Sequence, residues 1–418
     1  MPKQQDAASP YFDRTVLPNG ARVISEKIPS VRSISVGMWV FTGSRDEAPD
    51  ESGMSHFIEH MVFKGTERRR MHHIAQRMEF VGGYLNAFTA KEYTCYYARA
   101  LDEHLARAVD AVCDLVLQPK FPPKELEKEK EVVIEEMKMY EDAPEDIIFD
   151  HIEALVYRDH ALGRPIVGFP ETVRSFSRDG LVNYLDAHYT PDRMVLAAAG
   201  NVDHEKLVAL AEKAFAVSDR TSSDKTRTSV NGYVPEQVVS RRAVHQAHLV
   251  LATRGYAIHD ERRVALSVLN TVLGGGMSSR LNQNIREKYG YCYNIYSYLN
   301  LHLDAGDFGV YMGTDGSKVE RSKKLIFREL AKLRDTPVSP RTLNQAKNQV
   351  KGSIMLGLES MSNRMMRIGR QDLYFGRYFS LDEILQAVDA VTAEGIQVLA
   401  QDLFVPERFS SVVFLPQD

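Results

Sequence analysis

The sequence predicts an α+β protein made of two homologous domains, each a largely antiparallel sheet packed with helices. Three features lead there: strands and helices occur in clusters, a polar linker divides the chain near its middle, and the two halves share a pattern of residues. The length of 418 residues agrees, being too great for one core and suited to two domains of roughly 200 residues.

Arg22 to Ile28 and Ser33 to Phe41 alternate apolar and polar side chains, as half-buried strands do. A helical stretch begins near Gly53. Gly82 to Ala100 reads as a hairpin rich in Tyr, Thr and Phe, turning at Ala90-Lys91-Glu92. Long helices follow over His104 to Leu117 and Pro123 to Tyr140. Such clusters, in place of strict βα alternation, point to antiparallel α+β domains.

Ser218 to Ser229 is polar, rich in Ser and Thr, and without apolar periodicity, which marks an exposed linker. The expected division is a first domain over 1–216, a linker over 217–232 and a second domain over 233–418. Tyr189-Thr190-Pro191-Asp192-Arg193 precedes the apolar run Met194 to Ala199. A shift of 215 residues gives Phe404-Val405-Pro406-Glu407-Arg408, followed by Phe409 to Leu415. The same shift pairs Val173 with Val388, Leu181 with Ile396 and Tyr184 with Leu399, so an internal duplication is expected.

Hydrophobic residues make up 44% and charged residues 26%, the balance of a soluble globular protein. With a net charge of −4 there is no global basic field, so neither nucleic acid nor a membrane is an expected partner. Cys95, Cys113 and Cys292 are few and odd in number, which suits a reducing compartment without disulfides. Met1 to Arg14 is polar and lacks the features of a secretory or organelle leader. Apolar runs such as Val195 to Ala199 are far too short to span a bilayer. The expected location is the cytoplasm.

The chemistry is concentrated in Gly53-Met54-Ser55-His56-Phe57-Ile58-Glu59-His60-Met61-Val62-Phe63-Lys64-Gly65-Thr66. On a helix, residues four apart share a face, so His56 and His60 can aim two imidazoles at one metal ion. Glu59 projects beside the same point, where a carboxylate can take a proton from water and return it to a leaving amine. A pair of His four apart is by itself more often a coincidence than a site. His-x-x-Glu-His is far more restrictive and is the inverzincin signature.

A catalytic zinc needs a third protein ligand. On the helix from Lys124 to Tyr140, the residues Leu126, Val133, Met137 and Tyr140 form an apolar stripe, and Glu127, Glu131, Glu135 and Lys138 a solvated face. Glu129 and Glu136 stack along the flank of the stripe, where a buried carboxylate needs compensation. Periodicity leaves open which of the two is the ligand.

These residues resemble the pitrilysin/insulinase family of zinc peptidases, and most of all its branch of similar chain length that includes the mitochondrial processing peptidase subunits. The stretch Glu129-Lys130-Glu131-Val132-Val133-Ile134-Glu135-Glu136-Met137 is similar to the family's ligand helix. The resemblance implies one zinc per chain held by His56, His60 and Glu136. It makes Glu59 the general base and Glu129 a further carboxylate supporting the site. It also implies that each chain forms half of a clamshell. At the corresponding part of the second half, Leu273-Gly274-Gly275-Gly276-Met277-Ser278-Ser279-Arg280-Leu281 holds no such motif, as the family leads one to expect.

Gly82-Gly83-Tyr84-Leu85-Asn86-Ala87-Phe88-Thr89 alternates like a strand whose edge could accept a peptide as an added strand. Taken alone it is an ordinary hairpin strand; the resemblance implies that Asn86 lies along bound substrate. Arg286 and Tyr293 are seven apart, a spacing weak in itself. The resemblance implies that both bind substrate and that Tyr293 steadies the oxyanion, a role suited to a phenol.

The implied function is a zinc-dependent endopeptidase acting on short or unfolded polypeptides in an enclosed chamber. Some relatives divide the zinc motif and the Arg/Tyr pair between unlike chains. This chain carries both, so a homodimer is expected. The alternative is a non-catalytic structural or partner subunit of a hetero-oligomeric peptidase of the same fold, although such chains typically lose a residue of the motif. Elsewhere His72, His73, His245 and His248 read as solvent-facing or packed residues, and Cys95 as core.

Overall fold

Short runs of β-branched and aromatic residues pair into two sheets in the computed structural model, which describes residues 11–217, 220–221 and 226–417. The first sheet contains β1 (Phe12–Val16), β2 (Arg22–Lys27), β3 (Ser33–Val40), β4 (Tyr84–Thr89), β5 (Thr94–Leu101) and β6 (Met194–Gly200), in the order β1-β2-β6-β3-β5-β4. The second contains β7 (Gln237–Arg242), β8 (Ala247–Arg254), β9 (Cys292–Leu301), β10 (Gly306–Thr314) and β11 (Ser410–Pro416), in the order β7-β11-β8-β10-β9. Apart from β1, the two sheets have the same topology. One parallel pair, β2/β6 or β7/β11, is followed by antiparallel neighbours throughout. The mixed α+β architecture expected from sequence is what forms.

The division of the chain differs from the expected halves 1–216 and 233–418. One unit comprises Met1–Met137, Arg164–Arg227 and Gly357–Ser380; the other comprises Lys138–Gly163, Thr228–Leu356 and Leu381–Asp418. Each half of the sequence contributes a helix to the other half's unit. The helix Pro144–Val156 places Ile148, Ile152 and Val156 against Val250, Ala252, Tyr311 and Phe414 of the second sheet. The helix Met361–Phe375 places Met365, Ile368 and Leu373 against Ile24, Trp39, Val195 and Ala197 of the first. An amphipathic pattern shows that a helix covers a sheet but not which one.

The close seating of Met361–Phe375 explains why β3 is buried on both faces and not on alternate residues. A Cβ at Gly369 would come within 2.3 Å of the Trp39 indole, and one at Gly37 within 2.5 Å of the Met365 sulfur. On the opposite face of this sheet lie α1 (Met54–Val62) and α2 (Leu105–Leu117). There Phe57, Ile58, Met61 and Val62 join Val36, Met38, Tyr96 and Val112 in one core.

Part of the expected linker, 218–219 and 222–225, lies outside the described residues. The remainder up to Arg227 is tied to the first unit and is not a free spacer. Arg220 pairs with Asp186 at 3.1 Å. The buried Arg227 guanidinium bonds Asp46 at 2.8 Å and the Glu92 carbonyl at 2.6 Å, and lies 4.1 Å above the Phe41 ring. Among the described residues no helix is long and apolar enough to cross a membrane.

Candidate metal centre

The helix α1 starts where the backbone permits only a sharp entry. Gly53 has φ of 92°, and a Cβ there would come within 2.7 Å of the Val167 carbonyl. No residue at the start of the helix caps it with its own side chain. Instead the buried Glu47 carboxylate accepts from the Gly53 and Ser55 N–H groups, each at 2.8 Å, satisfying donors that a helix N-terminus leaves unpaired. Arg164 in turn donates to the Glu47 carbonyl. With Phe57, Ile58, Met61 and Val62 committed to the core, the helix turns His56, Glu59 and His60 toward a second helix, α3 (Pro123–Glu141).

In α3 the stripe Leu126, Val133 and Met137 is buried as expected and Glu127, Glu131, Glu135 and Lys138 are exposed. Tyr140 departs from the expected stripe and is 41% exposed; Ile134 is buried beside it. Glu129 and Glu136 project from the flank of the stripe and meet the two histidines at different places.

Glu136 faces both imidazoles. Its Oε1 lies 3.8 Å from His56 Nε2 and its Oε2 3.4 Å from His60 Nε2. One potential ligand atom from each of the three residues lies within 4.8 Å of the others. Ligands bound at 2.0–2.1 Å to a tetrahedral ion sit about 3.3–3.5 Å apart, so small side-chain adjustments close this set around zinc. Two imidazoles and one carboxylate are also a donor set typical of catalytic zinc.

Glu129 stands behind the set. Its Oε1 bonds His60 Nδ1 at 2.9 Å and its Oε2 meets Lys64 Nζ at 2.6 Å. This contact fixes the tautomer of His60 with Nε2 as the lone-pair nitrogen, the arrangement in which carboxylates orient metal-binding histidines. Burial favours a neutral Glu129, but the bonds from His60 and Lys64 outweigh it and lower its pKa. His56 is held neutral, its pKa pushed down to about 3 by burial and then by His60. For His60 burial also opposes the charge, yet Glu129, Glu136 and Glu59 together raise its pKa. A divalent cation competes with that proton for Nε2.

Glu59 is half-buried next to this set, with Oε2 accepting from Thr89 Oγ1 of β4 at 2.6 Å. Burial raises its pKa, against the Thr89 bond and the His60 charge, which lower it. Such a carboxylate holds a proton more readily than an exposed one, as a group that exchanges protons with water needs to.

Of the remaining residues singled out in the sequence, Asn86 is exposed on β4, where its amide donates to Tyr84 Oη at 2.7 Å. Arg286 and Tyr293 belong to the second unit and neighbour each other, with the guanidinium carbon 5.7 Å from the ring centroid. Tyr293 is 86% exposed. Sequence reasoning missed Glu47, Thr89 and Lys64. Lys64 was accessible to it, four residues beyond His60; Glu47 and Thr89 left no local signal, because their partners are reached only through the fold.

Residues 22–169 match the family described as insulinase (peptidase family M16), and residues 175–350 match a second model described as the peptidase M16 inactive domain. The motif lies within the first match, and the description "inactive" falls on the second. An uncharacterized zinc protease of Bacillus subtilis is 42% identical over 389 residues, covering 93% of this chain and 95% of its own. One from Mycobacterium leprae is 41% identical over 419 residues, covering 99% and 94%. In fold the chain is similar to a protease from Helicobacter pylori, with a TM-score of 0.91 at 21% identity over 97% of this chain and 99% of that one. A peptidase M16 inactive domain from Pseudomonas fluorescens gives 0.90 at 19% over 97% and 98%.

Proposed function

Since this chain belongs to the insulinase family of peptidases, M16, we propose that it is a zinc-dependent endopeptidase acting on short or unfolded polypeptides. The observation that carries this reading is the approach of Glu136 to the Nε2 atoms of both His56 and His60, with the Glu59 carboxylate alongside. In this reading His56, His60 and Glu136 hold one zinc per chain. When bound, zinc supplies Lewis-acid polarisation of the attacking water and the scissile carbonyl.

The chain's own residues do the rest. Glu59 takes the proton of the attacking water and passes it to the departing amine. Thr89 occupies Oε2 of Glu59 and so limits the rotation of the base. Glu129 keeps the proton of His60 on Nδ1 and the ring in place. Among the described residues β4 pairs with β5 alone, so its other edge offers main-chain N–H and C=O groups to an extended peptide, with Asn86 beside them. Arg286 and Tyr293 are proposed to bind substrate, with Tyr293 donating to the oxyanion; the resemblance supports this assignment.

We also propose a homodimer enclosing a chamber, because one chain carries both the zinc motif and the Arg/Tyr pair. Light scattering should then give twice the 47.3 kDa chain mass. The decisive experiment incubates the purified protein with a mixed peptide library, with and without chelator, beside Glu59→Gln. Cleavage that needs both metal and Glu59 is expected. Equal cleavage by Glu59→Gln defeats the assignment of the base, and no cleavage with zinc bound favours a non-catalytic subunit.

A further inference from the structure

The end of the β4–β5 hairpin away from Thr89 carries a cluster in which Asn86 alone has a proposed part in binding substrate. Tyr84 and Asn86 of β4 stand opposite Arg99 and Tyr97 of β5. Leu85 and Ala87, which alternate with them along β4, point the other way into the core shared with α1. The Arg99 guanidinium carbon lies 4.5 Å above the Tyr84 ring, and Asn86 donates to the Tyr84 hydroxyl. The Tyr84 and Tyr97 rings are 6.2 Å apart. The four side chains brace one another, yet Arg99, Tyr84 and Asn86 remain exposed. Among the described residues Arg99 makes no ion pair with a carboxylate.

A guanidinium stacked on a ring is held in place while its in-plane N–H groups stay available for a carboxylate. Its position along the strand gives this meaning. A peptide added to the free edge of β4 runs past the cluster, with alternate side chains on this face. With Glu59 as the base of the proposed reaction, Thr89, which holds it, sets the level at which a bound peptide would be cut. Tyr84 stands about five residues, or roughly 17 Å, from that level.

We propose that Arg99, seated on Tyr84 and flanked by Asn86, forms a substrate subsite selecting an aspartate or glutamate about five residues from the bond that is cut. This rests on the endopeptidase reading and names a class of substrate for it: extended peptides with an acidic side chain at a set distance from the cleavage point.

The test uses full-length zinc-loaded protein and unstructured peptides sharing one cleavable core, with Asp, Ala or Lys moved through each position on both sides. Competitive cleavage is read by mass spectrometry. The wild type should prefer Asp over Lys roughly two- to fivefold near the fifth position on one side, the size of an exposed ion pair. Arg99→Ala should bring that ratio to about one, and Arg99→Glu should reverse it, a change of sign that misfolding cannot produce. Cleavage that depends on Glu59 but is indifferent to charge at every position, or a preference unaltered in Arg99→Glu, overturns the subsite alone. Failure of the wild type to cut any peptide overturns the endopeptidase reading and the subsite with it.

Discussion

Nδ1 of His60 lies 2.9 Å from Oε1 of Glu129, while Nε2 of the same ring faces Glu136 at 3.4 Å. Two carboxylates from one helix, seven residues apart, thus address opposite nitrogens of a single imidazole. In the proposed reading one is a ligand and the other orients a ligand, and the two roles separate by experiment.

Glu136→Gln removes a ligand and should reduce bound zinc from roughly one per chain to a small fraction. Glu129→Gln keeps all three ligands and should weaken zinc binding by about 10–100-fold. Competition against a chromophoric chelator measures both, and equal losses would contradict the division of roles.

Glu59→Gln should lower peptide hydrolysis by at least about 10²-fold while leaving zinc content unchanged, because a general base contributes about 10²–10⁴-fold and Glu59 is not in the ligand set. Loss of metal along with activity would count against the base and for a structural role.

Glu47→Ala should destabilise the protein and weaken its hold on zinc. Two buried N–H groups at the start of α1 would lose their acceptor, at about 1–3 kcal/mol each. Glu47→Gln retains one acceptor and should fall between wild type and alanine. Urea unfolding and chelator competition read the two effects.

His204 should make stability fall on mild acidification. Its ring nitrogens lie 2.9 Å from Thr15 Oγ1 and Ser25 Oγ, and burial lowers its pKa against the pull of Asp13, Asp203 and Glu205. The unfolded chain therefore takes up a proton more readily than the folded one below about pH 6.5. The stability is present above that pH and is lost as pH falls through the lowered folded value. His204→Gln, compared with wild type in unfolding experiments between about pH 7.5 and 5, should show a shallower decline.

How much could be read beforehand depends on how far apart the partners are in the chain. The strands Arg22–Lys27 and Ser33–Val40, the hairpin around Ala90-Lys91-Glu92 and the helix carrying His56 and His60 follow from periodicity, as does the exposed face of α3. The pairing of His56 with His60 needs only the pitch of one helix. The choice between Glu129 and Glu136 does not follow from pitch, since both lie on the same flank and only the docking of α3 on α1 distinguishes them. Likewise the pattern of Met361–Phe375 marks an apolar face but does not say that Trp39 lies beneath it.

By itself the sequence determined the local chemistry: two imidazoles and a carboxylate on one helical face, two further carboxylates on another helix, and strands with the periods of an α+β fold. The tertiary structure alone decided which carboxylate meets both imidazoles, that Thr89 holds Glu59 and Glu47 caps its helix, and which sheet each exchanged helix covers. Periodicity acts within one turn or one strand, whereas these contacts join segments tens of residues apart, and their geometry exists only once the core between them has packed.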